Sequence, residues 1–414
     1  MKCGLITALL FCLAVSQAGF SQTRNLEYYI DQGLSNSPVL KDIDLQIRSA
    51  SVDSLLVRAV RLPQINFNTS MYYAPVINGY GYSEPITNGG NFISTVNLNQ
   101  FLFNKRTVDE RYRKIGIQNQ TLASNRKITE NDLKKSITQQ YLTVYSIGSD
   151  LSFSQSLVSS LEEEDIILKQ LTAAGVYSNN DYLNFVVELQ GRRLILSEYQ
   201  IRYRQELSNL NYLCGISDTS TYELELPDIT VNLPVKPEAS VYFLPYRLDS
   251  LRILNERSLL DRTYKPVVSW FADAGLINNE PKYIYKNFGA SIGISFGLPI
   301  YDGNQRKLNY EKLKYNEETR RNYQQFFHSQ YDEQLRRLMD ELEMTQKMLP
   351  QIDEELELAK SVIRQDRELL NNGTIIGITD FLLALRNLIS IQQYRNQYEI
   401  KRLEIINEIN YWRQ

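Results

Sequence analysis

The chain has 414 residues, 43% hydrophobic and 22% charged, which is enough for a large core and, by length, for two or three domains. Its 45 Lys and Arg against 48 Asp and Glu leave a net charge of -3, so no global basic field draws it to nucleic acid. One histidine, His328, and three cysteines supply too little for zinc sites, Ser-His-Asp triads or Cys-His dyads, so no catalytic residue, metal or cofactor is expected.

The N-terminus reads Lys2, an apolar run from Leu5 to Val15, then small and polar residues around Ser16-Gln17-Ala18. That pattern describes a secretory signal over residues 1–21, too short to span a bilayer. Its removal takes Cys3 and Cys12 and leaves Cys214 alone, which excludes an intrachain disulfide. Past the signal there is no apolar run of the roughly 18 residues a membrane helix needs. A chain of this kind that crosses a membrane does so as a β-barrel.

Three landmarks then recur in the same order about 200 residues apart. Leu62-Pro63-Gln64-Ile65 is echoed by Tyr264-Lys265-Pro266-Val267, and Phe103-Asn104 by Tyr301-Asp302. Ala174-Gly175-Val176-Tyr177 through Asp181-Tyr182-Leu183 is echoed by Asn372-Gly373-Thr374-Ile375-Ile376 through Asp380-Phe381-Leu382. The mature chain therefore reads as two tandem copies, 22–213 and 241–414, joined by a linker over 214–240 marked by Pro227, Pro234 and Pro237.

Each copy predicts a helix, two strands, a very long helix, a tight turn and a return helix. In the first copy the helix covers 26–60 and stops before Pro63, strands follow at 64–74 and 92–103, and a proline-free charged stretch at 107–172 predicts one long helix. The second copy predicts strands at 267–276 and 287–300 and a long helix over 303–371, with a kink expected at Pro350. Tyr331, Leu335, Leu338, Leu342, Leu349, Ile352, Leu356, Ala359 and Ile363 keep three-and-four spacing, a seam for coiled-coil packing. Val186, Leu189, Leu196, Tyr203, Leu207 and Leu210 do the same in the first return helix. Each long helix would span roughly 100 Å, beyond the size of a compact domain.

In the segment 287–300 the even positions, from Phe288 to Ile300, are all apolar, while the odd ones are Gly, Ser, Asn and Pro. Strand 267–276 follows suit; the first copy's strands alternate less cleanly. Strands of this length match the tilted crossing of a bilayer, and the chain has no further strands with which to bury such a face. Four strands cannot close a barrel, and an open edge in lipid leaves backbone groups unsatisfied at several kcal/mol each. Two, three or four copies would each close one, and the arithmetic does not choose. Tyr72, Tyr73, Tyr80, Tyr82, Tyr283 and Tyr285 flank the strand ends as candidate interfacial girdles.

Asn36-Ser37-Pro38, Leu62-Pro63, Pro299-Ile300-Tyr301-Asp302-Gly303 and the two glycine-to-aspartate tips, in this order and duplicated, resemble the TolC family of outer-membrane efflux ducts along the whole mature chain. The resemblance implies a homotrimer in the outer membrane, extending into the periplasm. Its parts would be a 12-stranded barrel in lipid and an α-helical periplasmic tunnel, with tips that meet a periplasmic adaptor and an inner-membrane pump. It departs from the family at Gln100-Phe101-Leu102-Phe103, where a proline usually precedes the aromatic.

The tips concentrate the candidate functional residues. Gly175 and Gly373 suit left-handed C-caps, and Asp181 and Asp380 suit helix N-termini, where a carboxylate accepts free N–H groups. By resemblance, Asp380 also matches an aperture-lining aspartate, and Leu383 stands where some relatives have a second acid. Val176, Tyr177, Thr374, Ile375 and Ile376 are candidates for exposed adaptor contacts, against the alternative of packing tip to tip. His328 reads as an ordinary helix residue, and Glu162-Glu163-Glu164-Asp165 as a solvated face. The rival functions are a periplasmic coiled-coil scaffold and, with far less support, a carboxylate-based hydrolase.

Overall fold

The structure, a computed structural model, describes residues 24–81, 89–102, 105–218, 220–234, 240–278, 286–371 and 375–414. The expected signal, the Phe103-Asn104 landmark, Pro237, Tyr82, Tyr283, Tyr285, and Gly373 and Thr374 of the second tip lie outside the described residues. In chain order the elements are α1 (Leu26–Asn36), α2 (Pro38–Ala59), β1 (Gln64–Ala74), β2 (Gly89–Leu102), α3 (Lys105–Ala173) and α4 (Asn179–Leu213). They continue with α5 (Leu244–Thr263), β3 (Val267–Asn278), β4 (Phe288–Gly297), α6 (Gln305–Asn371) and α7 (Ile378–Trp412). The long helices α3 and α6 have 69 and 67 residues, and Pro350 lies inside α6 without ending it.

Two of the differences from the sequence reading come from proline. The first helix is broken at Ser37, whose ψ of 117° is the extended conformation that a following proline enforces. Ser37 still donates its N–H to the Gly33 carbonyl, and its hydroxyl accepts from the Leu40 N–H at 3.3 Å, so both helix ends are satisfied. Strand β4 ends at Gly297 instead of residue 300, since Pro299 has no N–H to give a ladder.

The described residues of the connecting segment 214–240 contain no helix or strand between Gly215 and Pro234, yet much of the segment is strapped down. Tyr203 donates its hydroxyl to the Tyr222 carbonyl at 2.6 Å, Tyr141 donates to the Glu225 carbonyl at 2.8 Å, and Asn410 donates to the Thr230 carbonyl at 2.7 Å. Pro227 is buried.

The chain forms two compact units, each drawing on both halves of the sequence: residues 1–40, 129–236 and 330–414, and residues 41–128 and 237–329. In the first, α3, α4, α6 and α7 pack along the seams predicted from spacing. Tyr331, Leu338, Leu342, Leu356 and Ile363 of α6 are buried, as are Leu189, Tyr203, Leu207 and Leu210 of α4, while the other seam residues are half-buried. Phe185, Phe381 and Leu385 are among its fully covered side chains, and truncating a buried Phe to Ala typically costs about 3–5 kcal/mol.

The second unit holds one antiparallel sheet in the order β1-β2-β3-β4, in which β2 pairs with β3 and so joins the hairpins from the two halves. The register puts Phe67, Val96, Ala274 and Ala290 in one row across the strands and Ile65, Leu98, Ala272 and Ile292 in the next. Directly opposed residues share a face, so most of the apolar positions, from Ile65 and Phe67 to Ile292, Ile294 and Phe296, fall on one side, which also holds Thr69, Ser94 and Gln100. The first-copy strands stay blurred in the structure as in the sequence: Tyr72, Ile93 and Phe101 fall on the opposite side, with Phe271 and Ile277. The opposite side carries Asn66, Asn68, Thr95, Asn97, Asp273, Ser291 and Ser295. Among the described residues, no helix is long and apolar enough to cross a membrane.

Candidate functional site

Two features have no counterpart in an ordinary solvated protein: the apolar side of the sheet and the paired helix tips. On the sheet, Phe67, Met71, Phe288, Ile292, Ile294 and Phe296 expose 65–80% of their surface. A contiguous apolar face of this extent marks a surface that meets something other than water. Among the described residues the outer edges of β1 and β4 pair with no strand, and such unprotected edges are templates for another chain. Tyr72, Tyr73 and Tyr80, named from sequence as girdle residues, are exposed.

At the first tip, α3 ends in a Schellman motif. The Val176 N–H donates to the Leu171 carbonyl at 2.9 Å and the Gly175 N–H to the Thr172 carbonyl at 3.0 Å. Gly175 has φ of +78°, which a side chain would strain. The N-cap of α4 is Ser178 and not the expected Asp181. The Ser178 hydroxyl accepts from the Asp181 N–H at 3.1 Å and donates to the Asp181 carboxylate at 2.6 Å. Asp181 is thus the reciprocal partner three residues on, in a Ser-x-x-Asp variant of the capping box.

Tyr177 overturns an expectation: it is not exposed but 93% covered, with 7% of its surface accessible. Its ring packs into the cluster of Leu168, Phe185, Phe381 and Leu385, and its hydroxyl accepts the Ile376 N–H from the second tip at 3.0 Å. An aromatic ring facing an apolar cluster with its polar end on a partner is the favourable way to bury tyrosine. Val176 and Ile376 are half-buried against the same cluster, and of the described candidates only Ile375 is strongly exposed, at 70%. The described tips therefore pack on each other.

The second tip opens α7 with Gly377 as N-cap and no side-chain capping bond. Asp380 stands three residues on, exposed, with its carboxylate folded over Gly377; a Cβ at 377 would come within 2.6 Å of an Asp380 oxygen. A carboxylate in the first turn is favoured by the partial positive charge of the helix end. Leu383, one turn on, is 59% exposed.

Behind the tips two ion pairs join the halves of the chain, and sequence reasoning did not find either. Glu164 of α3 meets Arg367 of α6 at 2.5 Å, and Glu188 of α4 meets Arg386 of α7 at 2.8 Å. Glu164 corrects the reading of a solvated acidic face: its side chain is only 6% exposed, because it falls on the same helical stripe as Leu157, Leu161 and Leu168. Burial pushes its carboxyl pKa up, an effect Arg367 only partly offsets. At Glu188 burial also acts upward, but bonds from Arg386 and Arg192 outweigh it and hold the carboxyl below its ordinary value. The i,i+4 spacing of Glu188 and Arg192 was a legible signal; the partners across helices were not. Elsewhere, His328 sits in α6 with its ring 5.5 Å from that of Phe243.

No protein-family sequence model matches the chain, and no curated protein matches it in sequence. Solved structures do. The outer-membrane channel OprN aligns over 94% of this chain and 89% of its own, with TM-score 0.73 at 16% identity. The outer membrane protein VceC of Vibrio cholerae covers 94% and 95%, with TM-score 0.74 at 14% identity. The MtrE outer membrane channel of Neisseria gonorrhoeae, solved in its open state, covers 94% and 88%, with TM-score 0.71 at 14% identity. The chain has the TolC-like fold of these channels.

Proposed function

We propose that the protein is a passive exit duct of the outer membrane, serving a tripartite efflux or type I secretion system. The observation that carries this reading is the four-stranded sheet with one largely apolar, exposed side and two edges that pair with no other described strand. In lipid the apolar side is satisfied, and the edges are satisfied when neighbouring copies pair β1 of one with β4 of the next. Three copies of a four-stranded sheet give 12 strands, above the smallest membrane barrels of about eight. The fold shared with outer-membrane channels supports the same location.

On this reading the helical unit extends into the periplasm, and its tips face an adaptor that links the duct to an inner-membrane pump. Ile375 is the described tip residue best placed to touch such a partner, with exposed Gly175 and half-buried Asp181 of the first tip as further candidates. Thr374 and Gly373 complete the proposed contact. Asp380 from each copy would form one ring of carboxylates at the aperture. Energy comes from the pump, and the duct makes and breaks no covalent bond.

Purified protein in mild detergent should have the mass of three chains and give discrete conductance steps in planar bilayers. A monomer with intact secondary structure and no ion current overturns the proposal.

A further inference from the structure

Across the four strands, Asp273 of β3 is the one charged side chain. It stands on the polar side of the sheet, in a row that runs Asn66, Asn97, Asp273 and Ser291 from β1 to β4. On the exit-duct reading, on which this inference rests, that side lines the bore, and each copy repeats the row at the same depth. We propose that Asp273, once from each copy, forms a carboxylate ring that makes the barrel pass cations in preference to anions. The residue then determines specificity in the membrane-spanning part, independently of the helix tips.

The sheet itself leaves this charge unanswered. Among the described residues Asp273 enters no ion pair, and its row partners are neutral. The Ser291 hydroxyl donates to its carboxylate, while the Asn97 amide beside it donates to the Thr95 hydroxyl at 3.1 Å. An asparagine would accept the serine bond equally well, so cross-strand bonding alone does not call for a carboxylate. Ionisable groups inside membrane-spanning segments face water-filled interiors and mark ion paths, and rings of carboxylates are how cation channels select. Nor do the adjacent rows cover the group. On this face its β4 neighbours beyond Ser291 are Gly289 and Gly293. The Phe271 ring, one row away, folds over Gly293, where a Cβ would come within 2.5 Å of it, and so lies along the wall.

The geometry of a closed barrel sets the size of the effect. Twelve strands about 4.8 Å apart and tilted about 40° give a backbone radius of roughly 12 Å, which places an inward carboxylate roughly 9 Å from the axis. Three unit charges at that distance in water enrich monovalent cations over anions on the axis roughly sevenfold at about 0.1 M salt. The same sum gives about 30-fold at about 10 mM, and only about 1.3-fold at about 1 M, where the screening length is about 3 Å. The ring is therefore too wide to strip water from an ion. It acts through its field, and its signature is a preference that grows as salt is diluted.

The test is the reversal potential of the full-length protein in planar bilayers under potassium chloride gradients. The starting channel carries Asp380→Ala, so that the proposed aperture carboxylate does not set the reading. It should prefer potassium to chloride near 0.1 M and lose most of that preference near 1 M. Adding Asp273→Asn, which keeps the shape of the side chain, should lower the permeability ratio roughly three- to sevenfold near 0.1 M and remove its dependence on salt. Asn97→Lys, which leaves Asp273 in place and sets an ammonium directly opposite it, should lower the ratio at least as far. If the starting channel conducts and prefers chloride, or if neither substitution moves its ratio, the role of Asp273 is overturned and the duct reading stands. If the starting channel and the unsubstituted protein both give no current, the duct reading fails and takes the ring with it.

Discussion

The apolar face of the sheet can be tested at a single pair of neighbouring residues. Ile292 and Ser291 are consecutive near the middle of β4, so they lie at the same depth in any membrane that the strand crosses, and their side chains leave opposite faces. Ile292 is 80% exposed beside Ala272, on the apolar side; Ser291 is exposed beside Asp273, to which its hydroxyl donates, on the polar side. An arginine on the lipid face of a barrel costs about 2–4 kcal/mol at the bilayer midplane. Ile292→Arg should therefore shift the folding equilibrium in bilayers by roughly 30- to 900-fold per chain. Ser291→Arg should cost little, since its new charge faces Asp273 and water, and should show itself instead as altered ion selectivity. The assay is urea-dependent folding into lipid vesicles followed by tryptophan fluorescence, with Trp270 in the adjacent strand as reporter. Equal losses from the two substitutions, or a greater loss from Ser291→Arg, would refute the assignment of the faces.

Four further outcomes follow from the tips and from the ion pairs behind them. Asp380→Ala removes the proposed aperture carboxylate and should raise single-channel conductance and weaken block by divalent cations; unchanged conductance and block would assign Asp380 to its helix end alone. Tyr177→Phe deprives the Ile376 N–H of its acceptor at 3.0 Å, and hydrogen exchange at that amide should accelerate roughly 5- to 150-fold, the equivalent of about 1–3 kcal/mol. Glu164 has its pKa raised from 4.5 by burial, so the folded state holds its proton more tightly than the unfolded chain. Its contribution is most favourable below 4.5 and is lost as pH rises through the raised value. Glu164→Gln should flatten that part of the stability profile in chemical unfolding between pH 4 and 8, whereas Glu188→Gln should remove stability that is present above 4.5 and lost as pH falls through its lowered value.

What was legible in the sequence was whatever depends on spacing along one element. The seam from Tyr331 to Ile363 is buried or half-buried at every position read from it, because helical period alone decides which side of α6 is covered. The start of β1 at Gln64 and of β3 at Val267 was fixed by the prolines before them. The polarity of β4 was legible for the same kind of reason, since its two faces differ residue by residue. Glu164 was misread because the run Glu162-Glu163-Glu164-Asp165 is acidic all round, and composition hides that one of the four sits on the apolar stripe. Tyr177 was misread because a turn residue between two polar helix ends carries no periodicity, and only the arrival of Ile376 from residues about 200 further on gives it a partner.

The same distinction separates the two halves of the functional reading. Every strand pairing within the chain satisfies backbone groups that local pattern already aligned, and the row from Phe67 to Ala290 is the consequence. The two edges that remain, on β1 and β4, belong to no pattern inside one chain. On the exit-duct reading, lipid covers Phe288, Ile292 and Ile294 and excludes water from the adjoining backbone. On that reading the open edge of β4 is satisfied when another strand arrives. Assembly would then follow from β4 itself, and the long helices that follow each hairpin would accommodate whatever closure the strands adopt.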